Sequence, residues 1–169
     1  MNDFKTDLKY SRDCEVLALW ERAYKWFFPN MQTTVAHGQD GDHQRAGIDR
    51  SIVLDNSKQI LIDEKARRIK DTGDIMLEYV ANDTKGSPGW VEKRLLCDFI
   101  AYAFIPSRKV YLLPVIQLQA AWARNKVKWL KAYGTLKAKN QSYGTLNCPV
   151  STPVLFKAIG GALRYSEAI

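Results

Sequence analysis

Residues 47–67 read GIDRSIVLDNSKQILIDEKAR, and this stretch decides how the chain folds. Ile48, Ile52, Val53 and Leu54 favour a strand over 48–54. Asp55-Asn56-Ser57-Lys58 supplies turn chemistry, and Gln59 to Arg67 follows as a second strand. Together they predict a β-hairpin whose return brings Asp49 close to Asp63-Glu64-Lys65. Side chains alternate along an extended strand, so Asp63 and Lys65 share one face and Glu64 takes the other. With Asn56 at the centre of the turn, Asp49 lies almost opposite Asp63. A two- or four-residue turn would pair Asp49 with Glu64 instead, so the aspartates meet only across an odd loop or a bulge.

Two facing carboxylates repel each other, and a divalent cation between them converts that repulsion into ligation by hard oxygen donors. Magnesium suits such a site. A bound metal can activate water and offset charge building on a phosphate, and a neighbouring lysine can position the nucleophile or support the transition state. The chemistry that fits these residue types is phosphodiester hydrolysis.

Outward from the hairpin, Leu17, Trp20, Tyr24 and Phe27 recur at helical spacing, which predicts a helix over 13–28 that stops before Pro29. Gln32 to Asp42 reads as an exposed loop, and His37 and His43, on this Gly-rich stretch, are expected to face solvent. Asp74 to Val80 (DIMLEYV) is a third strand with the near-continuous apolar character of burial on both faces. Trp90 to Cys97 is a short helix or irregular crossover, and Asp98–Phe104 and Val110–Leu113 are strands. Gln117 to Lys131 is a second strong helix with Leu118, Ala121, Trp122, Trp129 and Leu130 mostly inward. Tyr143 to Val150 is an edge strand, and Ser151 or Thr152 caps a last helix with Pro153 in its first turn. The five tryptophans, Trp20, Trp26, Trp90, Trp122 and Trp129, could stack on bases, but helical spacing beside leucine places them in the core. The expected class is α/β, a central mixed sheet of about five strands flanked by helices.

At 169 residues the chain can form one domain, 1–169, that buries about 70% of its unfolded surface. With 46% hydrophobic and 25% charged residues it has the composition of a globular protein, not of a disordered or collagen-like one. No stretch is apolar for long enough to span a membrane and the start has no signal-peptide character, so it reads as cytoplasmic with no membrane partner. Cys14, Cys97 and Cys148 lack CxxC spacing, which points to buried thiols and neither a disulfide framework nor a zinc site. The net charge of +7 is all C-terminal: residues 117–169 carry eight Lys/Arg against the single Glu167, and the preceding residues are balanced at 17 of each sign. This basic extension is a solvated face or a polyanion-binding one.

The acid on one strand and Asp63-Glu64-Lys65 on the next resemble the PD-(D/E)XK nuclease superfamily, the restriction-endonuclease-like and Holliday-junction-resolvase-like enzymes. The runs QRAGIDR, IDEKARR, DIMLEY and GWVEK are similar to small nuclease-like proteins of phages and mobile elements. The resemblance covers roughly residues 13 to 130 and implies a restriction-endonuclease-like core of helix, three strands, helix, strand. It also implies that Asp49, Asp63 and the backbone carbonyl of Glu64 bind Mg²⁺ or Mn²⁺, with Lys65 as the catalytic lysine. Members add an acid from the first helix, for which Glu21 and Glu15 both qualify. Ile48 stands where the pattern has proline, a common departure.

DNA is then the implied partner. Arg67 and Arg68 follow the motif and could hold phosphates, or blunt a strand end; Gln44 could touch the DNA backbone or tie loop to strand; Lys126 and Lys128 would supply basic contacts. Glu78 could extend the acidic cluster or be a solvated strand acid. The rival readings are a nuclease-derived adaptor or inhibitor without turnover, and an RNA-binding protein. A homodimer would suit paired cuts on a duplex.

Overall fold

The computed structural model describes residues 14–37, 41–139 and 142–167. The chain divides into two compact units. The first runs up to Asp71 and takes in Leu95–Val115 and the residues from Ala162 onward. Its elements are helix α1 (Cys14–Phe27), strand β1 (Met31–Ala36), a short helix α2 (Gly41–Ala46), β2 (Arg50–Leu54) and β3 (Gln59–Arg67). The second unit includes Thr72–Arg94 and Ile116–Gly161. It contributes β4 (Asp74–Asn82) and the two-residue β5 (Ser87–Pro88). The chain then returns to the first unit with β6 (Phe99–Phe104) and β7 (Lys109–Pro114), joined by a 3₁₀ turn at Ile105–Ser107. Helix α3 (Val115–Tyr133), β8 (Leu136–Lys139), β9 (Gly144–Ser151) and helix α4 (Thr152–Ala158) follow, and β10 (Leu163–Ser166) ends the described chain.

The first unit is a six-stranded mixed sheet in the order β1-β2-β3-β6-β7-β10, in which only β3 and β6 run parallel. Its central strand, FIAYAF, is almost wholly buried, as a strand covered on both faces must be. Helix α1 packs on one face: Leu19, Trp20, Ala23, Tyr24 and Phe27 form a core cluster with Ile52, Ile62, Ala101, Ala103, Val110 and Leu112. Alanines at 101 and 103 leave room for the large rings of the helix. Trp20, Tyr24 and Phe27 of the expected stripe are buried and Leu17 is exposed, its place in the core taken by Leu19; Trp26 stands in solvent at 55% exposure while the other four tryptophans are buried.

The second unit is a four-stranded antiparallel sheet in the order β5-β4-β9-β8. DIMLEYV therefore does not extend the hairpin sheet as a third strand; it pairs with β9, which is an interior strand and not an edge. The architecture is thus α/β with two sheets and four described helices, in place of one sheet of about five strands. Trp90 to Cys97 forms turns and irregular chain. Gly89 fixes its start, because a Cβ there would collide with the Glu78 carbonyl on β4. Ser151 is the N-cap residue of α4 but makes no side-chain cap bond. Among the described residues no helix is long and apolar enough to cross a membrane.

Candidate functional site: the carboxylate pair on the hairpin

The hairpin register is set at its turn. Ser57 N–H donates to the Leu54 carbonyl at 3.0 Å and Leu54 N–H to the Lys58 carbonyl at 2.9 Å, so the loop is the three residues Asp55, Asn56 and Ser57. Ser57 takes a left-handed φ of 60°, the conformation a three-residue hairpin loop needs at its last position. Asn56 Oδ1 accepts the Lys58 N–H at 3.1 Å and steadies the turn. This odd loop sets Arg50 against Ile62 and Val53 against Gln59. Past Arg50 the register shifts, because Asp49 N–H donates to the carbonyl of Ile62, the residue already opposite Arg50, and the Asp49 side chain interacts with that of Asp63.

Asp49 is held tightly. Its N–H donates to the Ile62 carbonyl at 2.8 Å, its carbonyl accepts the His37 N–H at 2.8 Å, and its Oδ2 accepts the Glu64 N–H at 2.8 Å. The chain reaches it through Gly47, which has φ 70° where α2 ends; Ile48 N–H caps that helix by donating to the His43 carbonyl at 2.9 Å. A Cβ on Gly47 would also strike the Leu95 side chain. Carbonyls alternate along a strand, so that of Glu64 points to the same edge of β3 as that of Ile62, the edge where Asp49 sits.

Asp63 is 4% exposed. Its Oδ1 accepts a hydrogen bond from Lys65 Nζ at 2.5 Å. Burial raises its pKa to about 6; the Lys65 charge opposes that rise and the Asp49 carboxylate adds to it. Cys97 lies within the same field, its thiol pushed up to about 12 by burial first and by the Asp63 charge second. Asp49 and Lys65 are only half-buried and form the more open rim of the site. Arg67 follows Asp63 and Lys65 at period two on their face of β3 and is half-buried; Arg68 is exposed just beyond the strand.

Glu64 points the other way, toward α1. Arg50 Nε meets its Oε1 at 2.6 Å and the Tyr24 hydroxyl donates to the same oxygen at 2.9 Å. Burial raises the Glu64 pKa, and the Arg50 charge and hydrogen bond work against it. Tyr24 is raised well above its ordinary value by burial and then by the Glu64 charge. The helix thus sends Tyr24 to the hairpin. Glu21 is exposed and pairs with Lys25 at 3.2 Å one turn along the helix. The side chains of Glu15 and Gln44 lie outside the described residues.

His37 and His43 are half-buried and stacked, with ring centroids 4.1 Å apart and planes within 3°, and His37 Nε2 lies 2.7 Å from Ser51 Oγ. The expected loop around them holds β1 and α2 instead. Glu78 lies on β4 in the other sheet, opposite Asn147. Lys126 and Lys128 lie on α3 in the second unit. Lys126 is taken up by Glu92 at 2.6 Å and sits over the Tyr79 ring at 5.7 Å, whereas Lys128 is exposed.

The donors at the pair are hard oxygens, two carboxylates and a backbone carbonyl, and they match the preference of Mg²⁺ or Mn²⁺. Among the described residues no group of three or more His, Cys, Asp or Glu side chains could hold a metal ion, and the acids placed together there are Asp49 and Asp63. A Mg²⁺ site tolerates this, since that ion keeps several of its waters. No family model, no curated protein and no solved structure matches the chain.

Proposed function

We propose that the protein is a Mg²⁺- or Mn²⁺-dependent endonuclease-like hydrolase of DNA phosphodiester bonds, with a restriction-endonuclease-like site on the β2–β3 hairpin. The reading is supported by one observation: the Asp49 side chain interacts with that of Asp63, which also holds the Lys65 ammonium at 2.5 Å. Asp49, Asp63 and the Glu64 carbonyl would hold the cation, which when bound supplies an activated water and charge neutralisation. Lys65 orients the attacking water and meets negative charge as it grows on the phosphate. Arg67 and Arg68 bind the flanking phosphates of the strand. Glu64, Arg50 and Tyr24 hold β3 from behind and keep the carbonyl and the neighbouring aspartate aimed.

The test is incubation of the purified chain with supercoiled, linear and branched DNA in Mg²⁺ or Mn²⁺, beside Asp63→Ala. Cutting by the native chain that disappears in the variant supports the reading, and no cutting of any substrate defeats it. The second reading, a binding protein on the same scaffold without turnover, is favoured by the two-acid donor set among the described residues. It predicts no hydrolysis whatever the metal.

A further inference from the structure

Helix α3 carries Arg124, Lys126, Lys128 and Lys131 and no Asp or Glu anywhere along its length. One side of it is committed to the second unit, where Leu118, Ala121, Trp122 and Trp129 are buried. The other side is not simply polar. Ile116 is 81% exposed and Val127 82%, and positions 116, 120, 123 and 127 follow one another at spacings of four and three, which makes a single stripe of Ile, Ala, Ala and Val. Exposed Arg124, Lys128 and Lys131 run beside that stripe.

The stripe borders a cleft of about 390 Å³ lined by Val91, Glu92, Gln119, Trp122, Ala123 and Lys126. The cleft is rigidly built. Gln119 donates its amide to the Trp90 carbonyl at 3.2 Å and the Lys93 carbonyl at 2.8 Å, and Glu92 Oε1 accepts from Trp122 Nε1 at 3.0 Å and from Lys126 at 2.6 Å. Isolated exposed apolar side chains are ordinary, but two on one helical stripe, next to a preformed cleft and flanked on one side by three cations and Gln117, make a surface of defined chemistry.

We propose that this face of α3 docks an acidic amphipathic segment of another protein. The partner lays its apolar side chains along Ile116, Ala123 and Val127, with one of them in the cleft, and its carboxylates meet Arg124, Lys128 and Lys131. Charge complementarity selects an acidic partner, and the apolar stripe selects a protein over a nucleic acid, whose backbone engages cations and gains nothing from Ile116 or Val127. The inference is independent of the hairpin site.

The test uses the full chain and a fluorescein-labelled 18-residue helical peptide with leucine along one side and glutamate on the other. A lysine-for-glutamate version of the peptide and a 30-base-pair duplex serve as comparisons. The acidic peptide should bind in the micromolar range and the basic one should not. Binding should weaken tenfold or more in Ile116→Ser/Val127→Ser and again in Lys128→Glu/Lys131→Glu, with circular dichroism confirming that these surface variants stay folded. Failure of the acidic peptide to bind, or binding unchanged by the serine pair, overturns the proposal. Duplex affinity lost on charge reversal, with no peptide binding, assigns the face to nucleic acid instead.

Discussion

Asp63 and Glu64 are adjacent on one strand, Asp63 buried and Glu64 half-buried, and they face opposite ways. Glu64 has an arginine at 2.6 Å and a tyrosine hydroxyl at 2.9 Å, both on Oε1, the kind of pairing that a partly buried acid needs. Asp63 has one lysine on its side and a second carboxylate across from it, and its pKa is pushed to about 6. Burial raises the pKa of both acids; what differs is the company, a pair of donors for Glu64 and a lysine with a second carboxylate for Asp63, the kind of arrangement that marks a candidate site. Side-chain alternation alone sends the two acids to opposite faces of the strand.

The largest effect that would sharpen this contrast is on turnover. Asp63→Ala should lower DNA cutting by about a thousandfold or more, the scale expected when charge stabilisation is removed from a transition state, as read from initial rates on supercoiled plasmid. Glu64→Gln should show the reverse profile. Breaking a buried pair costs about 3–5 kcal/mol, so urea melts should move strongly while the folded fraction still binds Mn²⁺.

Asp63→Asn breaks the comparison in the other direction. A carboxyl raised from 3.8 to about 6 keeps its proton in the folded chain after the unfolded chain has lost it, so without metal the native protein loses stability as pH rises from about 4 to about 6. The shift corresponds to about 2–3 kcal/mol above that window. Melts at pH 7.5 in EDTA should therefore find Asp63→Asn more stable than the native chain, and the difference should vanish near pH 4. Tyr24→Phe removes one hydrogen bond from the structural acid and should cost about 1–2 kcal/mol, measured by the same melts, with Mn²⁺ affinity unchanged.

The hairpin was legible in the sequence because three signals agreed there: β-branched runs, a turn of Asp, Asn and Ser, and alternation that separates Asp63 from Glu64. The strand over 59–67 is where it was expected, and the odd loop that lets the aspartates meet was one of the alternatives the turn left open. What local pattern could not carry is which sheet a strand joins. DIMLEYV looks equally apolar whether it pairs with the hairpin or with β9, and only long-range pairing decides. Strand β1, MQTTVA, lies where the sequence has loop character because an edge strand with few buried side chains lacks the apolar signal, and the six residues of α2 are too few for a helical period to appear. Tyr24 was visible as a core residue on the helical stripe. Its hydroxyl contact with Glu64 depends on the angle at which α1 crosses the sheet, which spacing does not encode.

The most direct test is a calorimetric titration of the native chain, Asp63→Asn and Glu64→Gln with Mn²⁺ at pH 7.5. The account predicts one binding event in the native protein, its loss in Asp63→Asn and its retention in Glu64→Gln. Absence of binding in the native protein, or binding that survives Asp63→Asn, would contradict it.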